Sequence, residues 1–212
     1  MPQYSDDILD LFIGPKLSML THNGAPELGS QPDVLRAAIW GHICGLRCKR
    51  QALLHVSITL LKRSMTATNE YVAGRNSLTH YIDGLARRTH DVNAYLAALS
   101  HFEQCVGSVY HGVELFGKIS KWLVPSHPLP FKKGDGSDLE RLNLINNFIK
   151  HFAPEKAEAT SAPVWITNTG LECATANLSF DELAENIKAL WQLNQEMFIE
   201  IPRKASAPAS GG

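Results

Sequence analysis

The stretch Ser137-Asp138-Leu139-Glu140-Arg141-Leu142-Asn143-Leu144-Ile145-Asn146-Asn147-Phe148-Ile149-Lys150-His151-Phe152 decides how the chain is read. Its first four residues form a capping-box pattern, in which Ser137 and Glu140 satisfy each other's orphan backbone donors, so a helix is expected to begin there and to end near Pro154. At about 100° of turn per residue, Leu142, Ile145, Ile149 and Phe152 fall on one face, and Asn143, Asn147, Lys150 and His151 fall on another. One face packs and the other is polar. Asparagine competes with the backbone for hydrogen bonds and is a poor helix former, so Asn143, Asn146 and Asn147 inside one helix suggest a task beyond solubility.

Working outward toward the carboxyl end, a second capping box, Ser179-Phe180-Asp181-Glu182, opens a last helix with Leu183, Ile187, Leu190, Asn194 and Met197 along one face. Between the two helices, Val164-Trp165-Ile166-Thr167 and Leu171-Glu172-Cys173 flank Asn168-Thr169-Gly170, which predicts a short β-hairpin over 164–173. The tail 201–212, rich in Ala, Ser, Pro and Gly, reads as disordered. Toward the amino end, Val124 to Gly136 is the clearest loop. Before it the spacing predicts one long helix from Pro32 to about Met65, a second from Asn69 to Leu99 and a third from Ser100 to Leu123. Residues 1–31 form an N-terminal segment, with the loop signals His22 to Pro26 and Gln31-Pro32. The expected architecture is therefore mainly all-α: a helical domain over 32–200, built as a bundle of four to five helices with a short β-hairpin near the C-terminus.

Composition agrees with a packed protein, since hydrophobic residues make up 44% and charged residues 19% of 212. No basic region followed by an apolar core opens the chain, and no apolar run reaches membrane-spanning length, so a cytoplasmic protein without a membrane partner is expected. The four cysteines then read as small core residues of a reducing compartment. Cys44 and Cys48 share a helix face at a spacing that suits a metal, but no second ligand pair lies close by, so neither a metal nor another cofactor is expected. His80, His90, His101 and His111 trace no coherent helical face and read as scattered surface or boundary residues.

The net charge of −1 excludes a whole-protein electrostatic footprint for nucleic acid. Its distribution is uneven. Between Val34 and Asn69 the charged residues are Arg36, Arg47, Lys49, Arg50, Lys62 and Arg63, with no acid, whereas between Ala153 and Glu200 eight acids face only Lys156 and Lys188. The plainer reading is mutual neutralisation, within one molecule or across a dimer; the sharper one is an exposed basic face for RNA or DNA. On the first helix Arg36, Arg47 and Arg50 fall within about 60° of one another and are the candidate nucleic-acid contacts, while Lys49 and Arg63 lie on the opposite side.

The run Asn146-Asn147-Phe148-Ile149-Lys150-His151 resembles the motif of the HEPN superfamily, helical-bundle proteins whose ribonuclease members carry Arg, a polar residue, a short spacer and His. The resemblance places Asn147 at the polar position, His151 at the histidine and Asn146 where the family has arginine, with Lys150 as the nearest substitute charge. It implies a bundle in which two such motifs meet at a dimer interface, with His and Arg handling proton transfer and the charged transition state. Asparagine cannot supply that charge. The expected function is a non-catalytic HEPN-like component of a stress, toxin–antitoxin or defence system, recognising RNA or a protein partner, as a homodimer or hetero-complex. The alternatives are an active metal-independent endoribonuclease using His151 and a structural helical scaffold, with His151 and Lys150 stabilising the helix end. The usual phosphate-loop and nucleophile-elbow signatures are absent from the sequence.

Overall fold

The computed structural model describes residues 17, 19–34, 36, 51–89, 91–123, 131–150 and 164–200. The proposed contacts Arg47 and Arg50, the candidate histidine His151, the cysteine pair Cys44 and Cys48 and the tail 201–212 lie outside the described residues. In chain order the elements are α1 (Gln51–Ala86), α2 (Val92–Leu123), α3 (Asp138–Lys150), β1 (Trp165–Ile166), β2 (Gly170–Cys173), β3 (Ala176–Ser179) and α4 (Phe180–Gln195), which widens into a π-helical turn over Glu196–Glu200. The protein is mostly helical with a small antiparallel sheet, as the sequence predicts.

The helix boundaries differ from the sequence reading. The Ser/Thr/Asn-rich stretch after Met65 does not break α1, because its hydroxyls turn back on the helix: Ser64 donates to the Leu60 carbonyl, Thr66 to Lys62 and Thr68 to Ser64. Nor does α2 begin at Ser100. The real break lies at 87–91, where the Arg88 N–H donates to Leu85 and the Thr89 N–H to Gly84, a Schellman closure. Arg88 occupies the left-handed position, φ 59°, where glycine is the usual choice, so the stop carries no glycine signal. Asp91 then caps α2 by accepting from the Ala94 N–H at 3.2 Å.

The two long helices form an antiparallel hairpin whose register is set by buried rings. Tyr71 of α1 meets Phe102 of α2 edge-on, with centroids 5.8 Å apart, and Tyr81 meets Tyr95 at 5.6 Å. Phe102 in turn packs on Phe180 at 4.8 Å, which ties the hairpin to α4. Polar side chains fix the same seam: Trp191 donates to the Thr68 hydroxyl at 2.8 Å and Asn194 to the Ser64 hydroxyl at 2.8 Å.

The hairpin expected over 164–173 is present and is extended by β3 into a three-stranded meander, with Leu171 opposite Leu178 and Glu172 opposite Asn177. Its apolar content is thin, since in β3 only Leu178 is buried, which is why alternation alone does not reveal it. Of residues 1–31, the stretch 19–31 is strapped to the bundle: Tyr71 donates to the Pro26 carbonyl, Arg75 to Ala25, and Asn23 to Arg75 and Thr79. No helix among the described residues is long and apolar enough to cross a membrane.

Candidate functional site

Helix α3 is clamped at its beginning. Ser137 accepts from the Glu140 N–H at 3.2 Å, but the Glu140 carboxylate, buried, turns to the Gly134 and Gly136 N–H groups rather than back to Ser137, so only half of the expected capping box forms. The second box, between Ser179 and Glu182, is complete. Arg141 pairs with Glu182, and Asn186 donates to Asp138 at 3.0 Å, joining the starts of α3 and α4. Burial alone would raise the Glu182 carboxyl, yet the Ser179 N–H and Arg141 hold it below its ordinary value.

Along the rest of α3 the two faces separate largely as expected. Leu142 and Ile145 are fully buried, while Asn147 and Lys150 are exposed and Asn143 is half-buried. The Asn147 amide donates to Asn143 at 3.2 Å, which aligns the stripe. Asn146 departs from it. It is 1% exposed and faces Gly107 of α2, and neither end of its amide finds a hydrogen-bond partner among the described residues.

Lys150 at the end of the stripe meets residues that the sequence does not single out. Its Nζ lies 3.3 Å from Nε2 of His111 and 5.3 Å from the centroid of the Tyr110 ring. An ammonium only donates, so this contact is a hydrogen bond in the neutral imidazole that carries its proton on Nδ1 and leaves Nε2 to accept. The surrounding charges favour the same state: burial first, then Lys150, Arg63 and Lys118, hold His111 below its ordinary value against the pull of Glu114. Burial, and then Glu114, push the Tyr110 phenol up, so it stays neutral. The hairpin register brings Arg63 of α1 level with His111, the α3 packing brings Lys150, and Lys118 lies two turns along α2.

The structure therefore brings Lys150 together with Tyr110 and His111, with Arg63 and Lys118 close enough to act on the same histidine, leaves Asn147 exposed beside Asn143, and buries Asn146 against Gly107, one turn before His111. Arg36 is exposed. No sequence signal marks His111, because its partners come from α1 and α3 and no periodicity within α2 reports them.

Other chemistry-bearing groups are structural. His101 pairs with Glu70 at 2.7 Å across the hairpin seam, and Cys105 one turn on is fully buried, its thiol pushed up by burial and then by Glu70, so it is not a nucleophile. Among the described residues no group of three or more His, Cys, Asp or Glu side chains is placed to hold a metal ion. No protein-family model, curated protein or solved structure matches the chain.

Proposed function

We propose that this is a non-catalytic, HEPN-like helical binding protein that recognises single-stranded RNA through the face formed by Arg63, His111, Lys118 and Lys150. The carrying observation is the contact of Lys150 with His111 at 3.3 Å, with Arg63 of α1 and Lys118 of α2 near enough to lower the same histidine further, in a chain whose net charge is −1. Cations gathered at one place provide the backbone-neutralising term that dominates nucleic-acid affinity. The Asn143 and Asn147 amides beside them offer donors and acceptors for base edges, and Tyr110 offers an aromatic surface. The defence setting, and a homodimer or protein partner, follow from the HEPN resemblance alone.

Two observations favour binding over catalysis. Asn146, at the position the resemblance gives to arginine, is buried and uncharged. The lone pair of His111 is already engaged by Lys150, so His111 cannot take a proton from a ribose hydroxyl without losing that bond.

Fluorescence anisotropy with a labelled oligouridylate tests the reading. Three contributing cations predict a slope of about −2 for the logarithm of affinity against that of salt concentration. Lys150→Gln combined with Arg63→Gln is expected to weaken binding at least tenfold, whereas Arg87→Gln, at the far end of α1, is not. Absence of binding at low salt would leave the scaffold reading. Cleavage of the RNA that disappears in His111→Gln or His151→Ala would establish the ribonuclease instead.

A further inference from the structure

We propose that Lys150, His111 and Arg63 form a site for one phosphate group, and that His111 takes up a proton from solvent as the phosphate enters; this rests on the RNA-binding reading. In the structure Lys150 is folded down, one of its three N–H donors spent on Nε2 of His111 and its charge set over the Tyr110 ring. When Nε2 gains a proton that hydrogen bond is lost, for both nitrogens are then donors. Lys150 is released, and His111 and Lys150 turn N–H groups toward the same space, where an oxyanion with several acceptor oxygens satisfies both.

Without an anion this rearrangement is opposed. The groups facing His111 are Arg63 from α1, Tyr110, Glu114 and Lys118 from α2, and Lys150 from α3; three are cations, one is an acid and one is neutral. His151 follows Lys150 directly and lies outside the described residues. Protonation of His111 therefore adds a fourth positive charge to a cluster that holds one negative charge. A bound anion reverses that balance, because its negative charge offsets the positive charge that protonation adds. Linkage then requires the reciprocal effect: if the anion favours the protonated imidazole, protons favour the anion.

Sulfate serves as the probe, since it presents phosphate's tetrahedral oxygens and stays fully ionised across the range in which histidine titrates. In the full-length protein, sulfate affinity measured by titration calorimetry is expected to rise as pH falls, by up to about tenfold per pH unit for one linked proton. The His111 ring resonances, followed by NMR, should titrate at a higher midpoint with sulfate than without. His111→Gln keeps a polar neighbour for Lys150 but cannot be protonated, so its sulfate affinity should stay at the high-pH level of the parent at every pH. Lys150→Gln should lose sulfate binding throughout.

A flat pH profile in the parent, an unmoved His111 midpoint, or a pH dependence that survives His111→Gln overturns the inference. So does tighter binding of hexaglutamate than of sulfate or oligouridylate, which would make the site one for carboxylates of a protein partner. The two proposals fail separately. Oligouridylate binding without a sulfate-dependent shift of His111 removes the proton-linked site and spares RNA recognition. Proton-linked sulfate binding without oligouridylate binding keeps the phosphate site, assigns it to a free phosphate ester, and removes RNA.

Discussion

Replacing Asn146 by leucine is expected to stabilise the protein, and the size of the effect can be worked from its surroundings. The side chain is 1% exposed and both amide atoms lack partners among the described residues. Burying an unpaired amide costs about 1–3 kcal/mol in proteins, and leucine removes that cost. Leucine also gains a few tenths of a kcal/mol in helix propensity. Steric opposition is small, because the neighbour is Gly107, and even a Cβ built there would stand 3.8 Å from the Asn146 oxygen.

The net expectation for Asn146→Leu is a gain of about 1–3 kcal/mol, or roughly 2–10 °C in Tm for a domain of this size. Urea unfolding followed by circular dichroism measures it, with an unchanged m-value as the check that the unfolded state is the same. Asn146 lies one turn before Lys150 on the same side of α3, packed against Gly107 one turn before His111, so sulfate and oligouridylate affinity are measured alongside to separate the stability gain from any disturbance of the site. A loss of stability of about 1 kcal/mol or more would refute the reasoning, for it would mean that the amide is satisfied in solution and that leucine breaks a real hydrogen bond.

Two glycines of α2 should respond in opposite directions to the same substitution. Gly107→Ala meets only an ordinary van der Waals contact, at 3.8 Å from the Asn146 oxygen, and gains about 1 kcal/mol of helix propensity, whereas the Cβ of Gly112→Ala would lie 2.8 Å from a methyl of buried Leu190 and cost about 1–3 kcal/mol, outweighing the same gain; paired urea midpoints compare them. Arg88→Gly relieves the left-handed backbone at the end of α1 and should stabilise by about 1 kcal/mol in the same assay. Because the His111 value is depressed in the folded state, the unfolded chain binds more protons between the folded and ordinary values. Stability from this source is present above the ordinary histidine value and is lost as pH falls toward the folded one, so His111→Gln should lose less stability than the parent over that interval.

How much of this was legible in the sequence depends on whether a feature is local. The Ser179-Glu182 box, the apolar line Leu183, Ile187 and Leu190, and the turn at Asn168-Thr169-Gly170 are each specified by neighbours within a few residues, and each forms. The Ser137-Glu140 box forms only in part, because Glu140 is drawn to two glycine N–H groups of the preceding loop, which no pattern in the motif announces. The break at 87–91 was hidden for a related reason: its C′ residue is arginine, so the geometry is that of a helix stop and the composition is not. Lys150 was legible as the end of a polar stripe. His111 and Arg63 were not, since their meeting depends on the ring contacts that set the α1–α2 register.

The uneven charge along the chain bears on the same site. Mutual neutralisation would have the acids beyond Ala153 pairing with the basic residues between Val34 and Asn69, and thereby silencing Arg63. Among the described residues Glu182 pairs with Arg141 and Glu185 with Lys188, both outside that basic stretch, and α4 is tied to α1 by neutral hydrogen bonds from Trp191 and Asn194, while Glu155, Glu158, Arg47, Lys49 and Arg50 lie outside the described residues. Lys62 and Arg63 enter no ion pair among the described residues. A cation with no carboxylate partner among the described residues, close enough to act on a histidine that is already flanked by Lys150, raises the local potential there. Such a charge stabilises the protein only when an anion arrives, which is why the Arg63 side of the bundle is the place to look for one.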